Sequence, residues 1–257
     1  MKMNNRSPQW YGWLPDLPDH RDLTFRKIAP HAPKLPPSVD LSPDCSPVED
    51  QGQLGSCTAN ALAGALEFLE KKDGAPFADL SRLFIYYNER TIEGTVNQDS
   101  GAFIRDGVKS LAKQGVCRED AWPYNIAKFT QKPSKPCYTA AKKHQILSYY
   151  RIETLDEMRT CLATGYPFVF GFTVYDAFES AQVAKTGTLN LPKPAEKPVG
   201  GHAVLAVGYN DKQKRFLVRN SWGADWGKKG YFTMPYAYLA DPNLADDRWT
   251  IRTSEEG

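Results

Sequence analysis

The sequence predicts an α+β protein of two lobes, with a mainly helical first half and a mainly β second half. Apolar residues in the first half recur at helical spacing between helix stop signals. The second half instead holds short β-prone apolar runs separated by turn residues. Size agrees: 257 residues, 41% of them hydrophobic and 12% aromatic, can bury a real core and leave a cleft between lobes.

Residues 1–38 form a proline-rich amino-terminal extension, with Pro8, Pro15, Pro18, Pro30, Pro33, Pro36 and Pro37 and no helical or strand period. Such a chain lies extended. It also carries Trp10, Tyr11, Trp13, Leu14 and Phe25, more large apolar groups than a free linker holds, so it is expected to dock. Leu62, Leu66 and Leu69 share a helical face and Gly74 supplies a stop, which predicts a helix over 57–72. Ser81 caps a second helix running to Arg90. Phe103, Val108 and Leu111 mark a third, closed by Gly115. Thr154 and Glu157 form a capping box for a fourth, ending at Gly165. Strands follow over 168–174 and 202–209, then a turn at 211–214, then strands over 216–219, 231–234 and 249–252. The division is therefore extension 1–38, helical lobe 39–145 and β lobe 146–257.

A formal net charge of +2 lacks the basicity of a nucleic-acid binder. No apolar run is long enough to span a membrane, and the first fifteen residues lack the apolar stretch of a secretory signal. A cytoplasmic location, a removed leader and another export route all stay open. The histidines at 20, 31, 144 and 202 are scattered, and no cysteine pair has zinc-type spacing. No cofactor or metal is expected, and a monomer is. Five cysteines, at 45, 57, 117, 137 and 161, leave at least one unpaired. Cys117 and Cys137 flank a loop where a disulfide is an even choice.

Three segments carry chemistry. The first is a glycine-bearing loop, Gln51 to Ser56, that delivers Cys57 to the start of a helix. Helix N–H groups stabilise a thiolate, the nucleophilic form, and can receive an oxyanion. Gly55 lets backbone approach a carbonyl. A lone cysteine there is more often a small buried residue. The second is Gly200-Gly201-His202 opening an apolar strand, a rigid place for a base. Alone, this histidine is better explained as a strand-edge residue. The third is Asn220-Ser-Trp222-Gly-Ala-Asp-Trp226-Gly227, where an asparagine oxygen can fix the histidine ring and Trp222 can cover that bond. Alone, it is a glycine-aromatic turn.

Together these segments resemble the papain-like cysteine protease family. Asn220-Ser-Trp-Gly-Ala-Asp-Trp-Gly is the most specific match, and the likeness covers about 39–250. It implies a two-lobed fold, a helical left lobe and an antiparallel β-barrel-like right lobe with the active site in the cleft. It implies Cys57 as nucleophile, His202 as base, Asn220 as its orienting group and Gln51 as an oxyanion donor beside the Cys57 N–H. Ser100 and Gly101 would form a substrate-pairing edge, with Gly201 and Trp222 also at the cleft. Gly171 and Gly201 would leave room for a bulky apolar substrate side chain. Leu54 stands where most relatives have a cysteine, and Thr58 where an aromatic is usual. A short extension stands in place of the long helical propeptide. It is expected either to lie across the cleft as a built-in inhibitor or to strap the back of a lobe. The expected activity is cysteine endopeptidase on peptide or protein substrates, with an acyl transferase or ligase, or an inactive papain-like binding module, as alternatives.

Overall fold

The computed structural model describes residues 11–29 and 34–253. Pro8, Trp10, Pro30, His31 and Pro33 lie outside the described residues. In chain order the elements are β1 (Trp13–Leu14), β2 (Ser38–Asp40), α1 (Cys57–Lys72), α2 (Arg82–Glu93), β3 (Ala102–Phe103), α3 (Ile104–Gln114) and α4 (Lys135–Ala141). The second half adds β4 (Ser148–Arg151), α5 (Leu155–Ala163), β5 (Phe168–Tyr175), α6 (Ala181–Thr186), β6 (Pro198–Asn210), β7 (Arg215–Arg219), β8 (Tyr231–Pro235), α7 (Tyr236–Ala240) and β9 (Ala245–Arg252).

Helix α1 forms where Leu62, Leu66 and Leu69 make one apolar face, and it buries every residue from Cys57 to Leu69. Each fully buried leucine stabilises the fold by about 1.5–3 kcal/mol. Ser81 caps α2 by accepting the Phe84 N–H at 3.1 Å, and Gly94 ends it in the left-handed region. The Thr154–Glu157 capping box starts α5.

The main sheet runs β4-β9-β5-β6-β7-β8, with β2 added to β6, and its pairings are antiparallel. Strand β6 meets α1 on one face and the aromatic interior of the β half on the other. This explains its unbroken buried run from His202 to Tyr209. One core cluster joins α1, α2 and α3 to β6 and β9 through Leu62, Leu66, Ile104, Leu205 and Trp249. The other fills the β half with Phe168, Phe170, Phe172, Phe216 and Phe232. The seam between them brings the amino end of α1 against β6.

The extension follows that seam. Strand β1 pairs in parallel with β3, Trp13 opposite Ala102. Farther on, the Arg151 N–H donates to the Leu23 carbonyl at 2.7 Å and Phe25 is buried in the second cluster. The Tyr209 hydroxyl then donates to the Pro36 carbonyl at 2.7 Å. The segment thus runs from the pairing with β3 to β4 and on to β6.

Candidate active site

Cys57 is the first residue of α1, and Ser56 before it does not cap the helix with its side chain. The Ser56 hydroxyl is paired with the Tyr124 hydroxyl instead. The leading N–H groups of α1 are left to the sulfur and the cleft. The Cys57 Sγ accepts the backbone N–H of Ala203 at 3.3 Å. Because Ala203 follows His202, this bond sets the start of the buried part of β6 against the thiol. Two more backbone N–H groups, of Gly12 and Thr58, also point at the sulfur.

His202 is fully buried, and its Nε2 bonds the Asn220 Oδ1 at 2.8 Å. That oxygen also accepts the Ser221 N–H at 2.9 Å, which fixes the amide and through it the ring. Trp222 lies over the imidazole with centroids 5.0 Å apart. Phe178 packs on both rings. The histidine–asparagine bond is buried beneath these rings.

Gln51 is fully buried in the loop before the nucleophile. Its Oε1 accepts the Ser221 hydroxyl at 2.7 Å and its Nε2 donates to the Leu54 carbonyl at 2.9 Å. The loop carrying the cysteine is therefore tied to the loop that follows Asn220. Leu54 is buried as well, so apolar packing stands where relatives have a cysteine. Thr58 donates its hydroxyl to Glu89, 2.9 Å away and fully buried.

Of the expected edge, Gly101 lies against Gly12 of the extension. Gly101 has a φ of 74°, and a side chain there would collide with the Gly12 carbonyl. The Ala102 N–H, one residue on, donates to that carbonyl at 2.7 Å. The Ser100 hydroxyl is turned to Thr95 Oγ1 at 2.9 Å. Gly201 and Gly171 lie against Trp13, which takes the space a Cβ at either would need. The Trp13 Nε1–H donates to a buried carboxylate, Asp247 Oδ2, at 3.0 Å.

Burial pushes the Cys57 thiol up to about 12, and the N–H groups of Ala203, Gly12 and Thr58 only partly offset this. Part of that burial is the extension itself. Gly12 lies over Gly55, where any added Cβ would strike the Gly55 carbonyl, and Tyr11 sits edge-on to His202. Gly12, Trp13, Asp247 and the Ala203 N–H were missed from sequence. The one available signal was the clustering of Trp10, Tyr11 and Trp13 about a glycine. Cys117 and Cys137 are free thiols, close enough to hydrogen-bond; the disulfide considered from the sequence is not formed.

The family model for papain family cysteine proteases matches residues 35–245. The chain belongs to the papain family of cysteine proteases. It is 44% identical to a peptidase C1-like protein of Acanthamoeba polyphaga mimivirus, over 94% of this chain and 86% of the viral one. The crystal structure of xylellain, a cysteine protease from Xylella fastidiosa, superposes with a TM-score of 0.89 at 45% identity, covering 99% of this chain and all of that one. The thiol protease aleurain of Arabidopsis thaliana is 32% identical over 78% of this chain, which spans 56% of aleurain's length. As a papain-family member the chain is a cysteine endopeptidase, a hydrolase of peptide bonds. Among the described residues no helix is long and apolar enough to cross a membrane.

Proposed function

We propose that this papain-family enzyme uses Cys57, His202, Asn220 and Gln51 for catalysis and is held latent by its own residues 11–22. The observation that carries latency is the polarity of Gly12. Its N–H points at the Cys57 sulfur, while its carbonyl is turned away to the Ala102 N–H at 2.7 Å. The segment thus presents an N–H to the sulfur and keeps the Gly12 carbonyl paired with Ala102. It also keeps water from the thiol and so keeps it protonated.

Once the segment leaves, the sulfur gains solvent and the N–H groups at the start of α1 favour the thiolate. Nε2 of His202 is committed to Asn220, so Nδ1 takes the thiol proton. The thiolate adds to a peptide carbonyl. The Cys57 N–H and the Gln51 amide hold the oxyanion, each worth roughly 3 kcal/mol in comparable sites. His202 gives its proton to the departing amine as the C–N bond breaks, leaving a thioester. Water, deprotonated by His202, then displaces the sulfur and releases the acid.

The test is hydrolysis of a fluorogenic peptide library by the full chain, by Gly12→Val and by Cys57→Ala. A valine side chain at position 12 cannot fit under the Gly55 carbonyl, so this variant should be open and fast, the parent slow and Cys57→Ala inactive. A folded Cys57→Ala protein that still cleaved peptides would refute the assignment of the nucleophile. Equal rates for parent and Gly12→Val would refute latency alone.

A further inference from the structure

Asp247 is buried in β9 and sits at the floor of the pocket that Trp13 fills. Its Oδ1 is held by the Arg151 Nη2 at 3.0 Å. Its Oδ2 accepts two donors, the Trp13 Nε1–H at 3.0 Å and the Asp16 backbone N–H at 2.7 Å. Both of these belong to the extension. When the segment leaves, that oxygen loses both donors while Arg151 still fixes the other one. A φ of 53° at Asp247 and its own N–H bonded to Asp246 Oδ1 at 2.8 Å hold the residue in place.

We infer that Asp247 is a specificity-determining residue of the open enzyme, selecting substrates that place a large side chain with a terminal N–H, tryptophan above all, in the pocket walled by Gly171 and Gly201. Shape and chemistry agree. A Cβ at Gly171 would run into the Trp13 indole, and one at Gly201 would lie 2.8 Å from the indole Cε3. The two glycines are therefore what make room for a bicyclic ring. A buried acceptor with no partner is costly, so a phenylalanine or leucine that fills the space but leaves Oδ2 unmatched is rejected. A cation gains less than it would beside an isolated carboxylate. Arg151 lies 3.0 Å from both Asp246 and Asp247, and Arg248 lies 3.4 Å from Asp246. A neutral N–H donor suits this floor better than a third guanidinium.

The inference rests on reading residues 11–16 as occupants of the substrate cleft, so its test includes a measurement that needs no turnover. The full chain carrying Gly12→Val, Trp13→Ala and Cys57→Ala has an opened cleft, an emptied pocket and no nucleophile. Into it, N-acetyl-tryptophan amide is titrated beside its benzothienyl analogue, which keeps the ring shape and lacks the N–H, and beside the phenylalanine and arginine amides. The tryptophan amide should bind at least about tenfold more tightly than the other three, and that margin should vanish in Asp247→Ala. In parallel, the full-chain enzyme carrying Gly12→Val and Trp13→Ala is given a library in which each acyl-side position is varied. Tryptophan should be favoured at one position, with the preference lost on adding Asp247→Ala. Equal binding of tryptophan and benzothienyl amides overturns the inference without any mutation of Asp247. So does a preference for arginine, phenylalanine or leucine. Selective amide binding by a chain that cleaves no peptide would leave the pocket assignment standing and count against the catalytic reading.

Discussion

Cys57 is pulled two ways. Helix N–H groups and a strand N–H favour its thiolate, and burial under Gly12 favours the thiol more strongly. The place of Cys57 at a helix start was legible in the sequence because a glycine-bearing loop runs into an apolar helical period. Its burial was not, because that depends on a segment 45 residues away in the chain (57 − 12) that no local pattern links to it. At this scale, Asn220→Ala removes the acceptor from His202 Nε2 and frees the ring to turn. In a Gly12→Val background we expect kcat to fall about tenfold to hundredfold, part of the full contribution of acid–base catalysis, with an unchanged far-UV spectrum. Gln51→Ala should lower kcat by about a hundredfold or more if its amide serves the oxyanion. A change confined to KM would point to a structural role in tying the two loops.

Among the elements, α1 carries both core and chemistry. Leu66→Ala in its fully buried face should cost about 2–5 kcal/mol in denaturant unfolding, because α2, α3 and β6 close around it. The long periodic helices were visible in sequence for that reason. Short pieces such as β2 and α6 were not, since they owe their form to tertiary contacts: β2 exists by pairing with β6. The arm from Trp13 to Asp22 is such a case on a larger scale. Asp16 accepts the Trp249 Nε1–H at 2.9 Å and the Arg105 N–H at 3.3 Å, and Asp22 is paired with Arg105 at 2.7 Å. Arg151 stands 3.7 Å from Asp16 and from Asp22. Burial first, then the Asp247 carboxylate, pushes the Asp16 carboxyl up to about 7, against the pull of Trp249 and Arg105. Undocking returns it toward the ordinary value of 3.8. The docked form therefore holds a proton that the undocked form has lost between those values, so docking is strongest in acid and weakens as pH rises through about 7. The ratio of the full chain's rate to that of Gly12→Val should rise between pH 5 and 8. Docking also holds the Cys57 proton, which acts in the same direction, so the rise should shrink when Asp16→Asn is placed in both proteins, and an unchanged rise would contradict the assignment to Asp16.

Over the whole molecule, a helical unit and a β unit meet at one seam, and the residues proposed for acyl transfer lie along it. The two-lobed α+β plan was legible because each half keeps its own hydrophobic period. The path of the extension was not, because a proline-rich strand has no period and its anchors, Trp13, Asp16 and Phe25, gain meaning only beside Asp247, Trp249 and the β interior. In the proposed latent form the same arm covers Cys57, packs Trp13 on Gly171 and Gly201 and straps β4, so opening the cleft should be a cooperative release. The central claim is that this arm covers a reactive Cys57, and alkylation by iodoacetamide with peptide mapping tests it most directly. In the full chain Cys57 should react slowly, and in Gly12→Val at least about tenfold faster, with Cys57 as the site whose rate changes. Equal Cys57 rates in the two proteins, or acceleration at another cysteine instead, would contradict the account.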